Sequence, residues 1–195
     1  MMDKETIRQR RRRILSREIE EIAIALFIEN GYDNVTTSEI ASAADISNRT
    51  FFRYFPSKEA ILISIPHRIL DKMCAAFEAR PQDETIMRSW RAAAMEIGKL
   101  NDIDSNLVKK LLFIVNDSPS SIYKMQNFQS FKEPIVDIIA KRLNTDKFDL
   151  ETNIIAAVVH STLSSAISLY ASTSEETDFA AVFSKVFDIL DNLHS

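Results

Sequence analysis

Glycine is scarce in this chain, two residues in 195, and proline numbers only five. Helix interiors disfavour both. Their scarcity, beside abundant Ala, Ile, Leu, Glu and Arg, predicts helices almost throughout. No stretch alternates apolar and polar residues long enough to read as a strand. Two isolated glycines also leave no glycine-rich loop to cradle a phosphate. The single cysteine, Cys74, cannot form an internal disulfide, which suits a reducing compartment, and it reads as a small buried hydrophobe. The histidines, His67, His160 and His194, have no metal-ligand spacing to cysteine or carboxylates. No nucleophile–base pair stands out. Neither a metal, a cofactor nor an enzymatic activity is expected. No uninterrupted apolar run approaches the roughly 18 residues of a membrane span, and the N-terminus has no apolar signal core. The expectation is a soluble, cytoplasmic protein with no membrane partner.

What the chain does contain is a large apolar complement, 46% of residues, and an uneven charge. The net charge is −4, which by itself argues against nucleic acid. The distribution argues the other way. Residues 1–17 carry seven basic side chains against two acidic ones, whereas residues 71–195 carry 13 basic and 18 acidic. Positive charge therefore gathers at the N-terminal end, as an arm over residues 1–11 that reads as flexible or as the start of a helix.

Apolar residues at Leu15, Ile19, Ile22, Ala23, Leu26 and Phe27 are spaced by three and four, so a first helix runs to Asn30 and stops at Gly31. A second starts at Thr36 or Thr37, and a third covers 48–55 with Ser47 as its cap and Pro56 as its stop. Ser57 caps a fourth, which carries Ile61, Leu62, Ile65, Ile69, Leu70, Met73 and Phe77. Pro66 lies inside that pattern, where it either kinks one helix or separates two. Further helices are expected near 84–98, 104–117, 120–144, 149–172 and 176–194, about nine in all. The last two are apolar on more than one side, and the first of them adds Ser161, Ser164, Ser165 and Ser168, which permit close approach. They predict a self-association surface.

The segment from Val35 to Lys58, VTTSEIASAADISNRTFFRYFPSK, reads as two short helices joined by a tight turn. A short polar and aromatic helix backed by another is how a compact protein enters the DNA major groove. Phe51 and Phe55 would pack it on its scaffold. Thr36, Thr37, Thr50, Tyr54 and Lys58 can donate to phosphates, while Asn48, Arg49 and Arg53 can reach base edges and Phe52 a thymine methyl.

Those residues carry a resemblance. The run ALFIENGYDNVTTSEIASAADIS, the helix NRTFFRYF and the following PSKEAIL are similar to the DNA-binding domain of the TetR family of transcriptional regulators, over about residues 12–65. The resemblance implies an all-α protein with a three-helix DNA-binding domain at 1–56 and an effector-binding, dimerising helical domain at 57–195. It implies a repressor that binds a palindromic double-stranded operator as a homodimer and is released by a small molecule. DNA contacts carry over to Thr36, Thr37, Ser38, Ser47, Asn48, Arg49, Thr50, Phe52, Tyr54 and Lys58. Asp45 departs from the family, which has glycine in that turn. For the effector pocket the candidates are Trp90, Phe113, Asn116, Tyr123, Phe128, Phe131 and His160, whose character favours an apolar or amphipathic ligand. Two other classes remain open: a helical carrier or enzyme with a vestigial DNA unit, and a DNA-binding activator or nucleoid-type protein without an effector.

Overall fold

A computed structural model describes residues 6–97, 107–111, 114, 121–173 and 179–192, with the backbone alone at 121–130, 171 and 191. Among these residues there are eight α-helices: α1 (Ile7–Asn30), α2 (Thr37–Ala43), α3 (Asn48–Tyr54), α4 (Lys58–Glu78), α5 (Ile86–Ile97), α6 (Ser121–Leu143), α7 (Leu150–Ala171) and α8 (Phe179–Asn192). Residues 107–111 are helical as well, within the helix expected near 104–117. A turn of 3-10 helix at Tyr32–Asn34 joins α1 to α2, and no strand occurs among the described residues.

The chain divides into two compact units, with the boundary along α4 between Ser64 and Ile65. In the first, α1 packs on α2 and α2 on α3. Ile19, Ala23 and Phe27 of α1, Ile40 and Ala41 of α2, Phe51 and Phe55 around α3, and Ile61 and Leu62 of α4 are all buried. The 3.6-residue period thus puts one face of each short helix inward. One buried group is charged. Glu20 is 1% exposed, and the Ser64 hydroxyl lies 2.7 Å from its carboxylate.

Of the basic arm, residues 7–11 are helical and form the start of α1. The Thr6 side chain accepts from the Gln9 backbone N–H while the Gln9 side chain accepts from that of Thr6, so both ends of a capping box are closed. Pro66 does not break α4, which is continuous across it. The lost backbone hydrogen bond is outweighed by burial on both sides, at Ile61, Leu62 and Ile65 before it and Leu70, Met73 and Phe77 after it. Pro134 likewise lies within an unbroken α6.

In the second unit one cluster joins Leu70, Met73 and Phe77 to Trp90 and Ala94 of α5, Ile135 and Ile139 of α6, Ala156, Val159 and Leu163 of α7, and Phe183 and Phe187 of α8. Helix α7 packs on α6 and α8, and α8 on α5. Arg142 closes one end by donating to the carbonyl of Pro81 and the hydroxyl of Ser89, both at 2.8 Å. Cys74 is half-buried, and burial together with Asp71 and Glu78 pushes its thiol up to about 12.

Helix α7 does meet the length and mean hydropathy of a membrane span over Leu150–Tyr170, at 1.3. Reading only uninterrupted apolar runs misses it, since its serines and threonines are weakly polar. Its inner side is spent on the core. Its outer side leaves Leu150, Ile154, Val158 and Leu169 exposed, with Ser161, Ser164, Ser165 and Ser168 between them, and α8 adds Ile189.

Candidate nucleic-acid interface

Helices of seven residues are too short to stand alone, so caps and the turn between them position α2 and α3. At the start of α2 the Thr36 hydroxyl accepts the Glu39 backbone N–H, and the Glu39 carboxylate accepts the Thr36 N–H and O–H at 2.8 Å each. Those bonds, the backbone one foremost, hold the Glu39 carboxyl below its usual range. At the start of α3 the Ser47 Oγ accepts the Thr50 N–H at 3.1 Å. In the turn, Asp45 has a φ of 51°. The Ile46 N–H reaches back to the Ala41 carbonyl at 2.9 Å and the Asp45 N–H to that of Ser42 at 3.1 Å. This double closure is a Schellman motif. Asp45 therefore occupies the left-handed position that glycine fills most cheaply, at a cost that aspartate keeps modest.

With Phe51 fully buried and Phe55 nearly so, the opposite side of α3 faces solvent. Asn48, Arg49, Phe52 and Arg53 are exposed there, Phe52 to 52%. An exposed phenylalanine beside two arginines and an asparagine is a costly surface in water and a suitable one for a groove lined by base edges and methyl groups. The Arg49 guanidinium has no partner among the described residues, and the Arg53 guanidinium lies 5.4 Å from the Tyr54 ring centroid. Thr36, Ser38 and Ser47 are exposed beside this face, while Thr37, Thr50 and Tyr54 are half-buried.

Two of the expected contacts are already engaged within the protein. The Asn48 Nδ2 donates to the Ser38 Oγ at 3.0 Å, which ties the first turn of α3 to α2. Lys58 is engaged with the loop that leads into α2. Its ammonium donates to the carbonyls of Tyr32 at 2.8 Å, Val35 at 3.0 Å and Asp33 at 3.3 Å, and sits 4.5 Å above the Tyr32 ring. Its three N–H bonds are thus used by the loop that leads into α2. The Tyr32 hydroxyl in turn donates to Glu59 at 2.9 Å. Burial of Glu59 opposes its ionisation, but hydrogen bonds from Ser57, its own backbone and Tyr32, with the charge of Lys58, leave its carboxyl lowered overall.

Sequence reasoning missed these bonds because they join residues 10 to 27 positions apart. The Thr36–Glu39 box was legible, since Thr-x-x-Glu is its signature. Arg12, read only as one charge of a basic arm, lies 6.0 Å from the centroid of the Tyr54 ring.

The effector candidates are only partly brought together. Trp90 is fully buried, stacked on Phe77 at 4.8 Å, and its indole N–H has no acceptor among the described residues. Phe131 stacks on His67 at 4.4 Å. His160 is buried on α7, and burial, with the nearby charge of Lys132, lowers its pKa. Phe113 and Asn116 lie outside the described residues, as do the side chains of Tyr123 and Phe128. No cluster of three or more His, Cys, Asp or Glu suited to a metal occurs among the described residues.

A capped helix–turn–helix with an exposed Asn-Arg-Phe-Arg face, in a chain that also carries a separate helical unit, has the build of a helix–turn–helix regulator. Comparison with known proteins agrees. The profile of the bacterial regulatory proteins of the tetR family matches residues 19–65, and that of the MftR C-terminal domain matches residues 84–194. The chain therefore belongs to the TetR family of DNA-binding transcriptional regulators. It is 28% identical to the HTH-type transcriptional regulator TcmR of Streptomyces glaucescens over 150 residues, which span 73% of this chain and 66% of TcmR. It is 32% identical to the HTH-type transcriptional regulator EthR of Mycobacterium tuberculosis over 79 residues, 36% of this chain and 37% of that one. The fold is also that of the Bacillus subtilis regulator FadR in complex with stearoyl-CoA, with a TM-score of 0.60 at 17% identity over 89% of this chain and 96% of that one. The Thermus thermophilus repressor FadR in complex with lauroyl-CoA gives 0.52 at 21% identity over 90% and 92%.

Proposed function

We propose that this protein is a homodimeric repressor that reads a palindromic operator through α3 and leaves it when a small apolar or amphipathic molecule binds the second unit. The observation that carries the reading is the solvent face of α3. Arg49 and Arg53 can each pair bidentately with guanine, and Phe52 can meet a thymine methyl. Asn48 can pair with adenine by its carbonyl and one N–H while its other N–H holds Ser38. Thr36, Thr37, Ser38, Ser47, Thr50 and Tyr54 flank this face as phosphate donors. For Lys58 the bonds to three carbonyls favour a positioning role, holding the entry to α2, over the phosphate contact that the resemblance implies.

Dimerisation is supported by the exposed stripe of α7, where Leu150, Ile154 and Val158 recur every four residues and the serines beyond permit close approach, together with Ile189 of α8. Two copies joined by a two-fold axis would present two α3 helices to two half-sites. For the effector, Trp90 offers a buried N–H donor within an aromatic and aliphatic core. The acyl-CoA complexes of the two FadR proteins make long-chain acyl thioesters the first class to assay. Release would be a population shift, with α4 as the link and Pro66, two residues beyond the end of the first unit, as its hinge.

Selection of bound duplexes from a random pool tests this directly. Two inverted half-sites centred roughly one helical turn apart, ~34–36 Å, or a multiple of it, are expected, with acyl-CoAs then screened for release. Recovery of only unpaired or unenriched sequences would overturn the dimeric reader.

A further inference from the structure

Helix α1 overruns the unit it belongs to. Its first buried residue is Ile19, and every residue from Ile7 to Ile14 is exposed. The Thr6–Gln9 capping box closes the end of this overrun, so its side chains hold fixed positions around a helix. It carries Arg8, Arg10, Arg11, Arg12 and Arg13 in close succession. Like charges at helical spacing repel, as between Arg8 and Arg12. A merely solvated face is normally relieved by carboxylates three or four residues away. None stands at that spacing from any of these five arginines among the described residues, so their sides of the helix must separate them.

At about 100° per residue the arginines fall into two opposed arcs. Arg8, Arg11 and Arg12 lie in line with Leu15 and Ile19, the stripe that turns inward where the core begins. Arg10, Arg13 and Arg17 lie on the other side. The direction of the first arc is marked by a contact: Arg12 reaches the ring of Tyr54 in the last turn of α3, the same ring that Arg53 approaches. Past the core, then, the inward stripe of α1 becomes a row of arginines with no carboxylate at helical spacing among the described residues, and Arg12 of that row lies against the last turn of the reading helix. We infer that Arg8, Arg11 and Arg12 form a phosphate-binding surface that lies on the DNA backbone flanking the bases read by α3, and that Arg10 and Arg13 take no part in it.

The inference rests on the DNA-reading proposal and is separable from it. Binding of the full chain to its selected operator is measured over a range of salt for the wild type, for R8Q/R11Q/R12Q and for R10Q/R13Q. Each lost phosphate contact lowers the slope of log affinity against log salt by about 0.9. The triple variant should lose roughly 2–3 in slope and keep its ranking of base-substituted operators, while the double variant keeps most of the wild-type slope. Glutamine is a good helix former and removes the repulsion, so circular dichroism should show α1 intact. An unchanged slope in the triple variant, or an equal loss in the double one, overturns the inference while a sequence-selective wild type leaves the DNA-reading proposal standing. A wild type without sequence preference overturns both.

Discussion

Replacing Lys58 by methionine separates two roles for one ammonium. The stem and its packing are kept, and the charge is removed. Hydrogen bonds to charged groups contribute about 1.5–3 kcal/mol each, and a cation over a partly exposed ring adds about 0.5–1 kcal/mol. The bond to Asp33 is long and exposed, and a single ammonium bears a single desolvation penalty, so the contributions are not additive. The bonds to Tyr32 and Val35, with the ring, leave about 2–3 kcal/mol. For a chain of this size that is a fall of about 4–12 °C in Tm, read by thermal or urea unfolding. DNA affinity should fall by a similar factor at every salt concentration, because the loop before α2 is loosened and no phosphate contact is lost. The reasoning is refuted if stability is unchanged while the salt slope drops by about 0.9, since Lys58 would then be a phosphate ligand.

Three further outcomes are expected. Ile154→Lys places a charge in the exposed stripe of α7, where desolvation costs several kcal/mol per ion. Sedimentation should then show monomer at concentrations where the wild type is dimeric, and an undisturbed dimer would exclude this face. His160 is held below its ordinary value of 6.5 by burial and by Lys132, so the unfolded chain takes up a proton that the folded one resists. Its contribution is intact above that pH and declines below it, by at most about 1.4 kcal/mol per pH unit. Urea unfolding at pH 7.5 and about 5.5 should show the advantage of wild type over His160→Gln shrinking with acidity, and a constant gap would refute this. Pro66→Ala restores a backbone bond and should stabilise α4 by up to about 3 kcal/mol. It should also alter operator affinity or effector release, and no change in either would remove the hinge.

Much of the DNA-binding unit was legible because its determinants are local. Ser47 and Thr36 are caps, Gly31 and Pro56 are stops, and the apolar period of α1 runs unbroken from Leu15. Asp45 could be placed in the left-handed region because the turn demands it. The start of α1 was less clear, since five arginines imply a tail unless the Thr6–Gln9 box is weighed against their repulsion. Pro66 was ambiguous for a physical reason: a local penalty competes with burial on both sides of it, and only packing decides. The bonds of Lys58 and Asn48 are long-range, so residue type alone could not show them. The effector candidates were chosen by composition alone, and core packing uses the same residues, as the Trp90–Phe77 stack shows.

The most direct test of α3 as a symmetric reader compares operator selection for the wild type and Arg49→Ala. Loss of base preference worth about 1–3 kcal/mol at one position repeated in both half-sites, with the other positions still selected, is the expected result. An unchanged preference profile, or a change confined to one half-site, would contradict it.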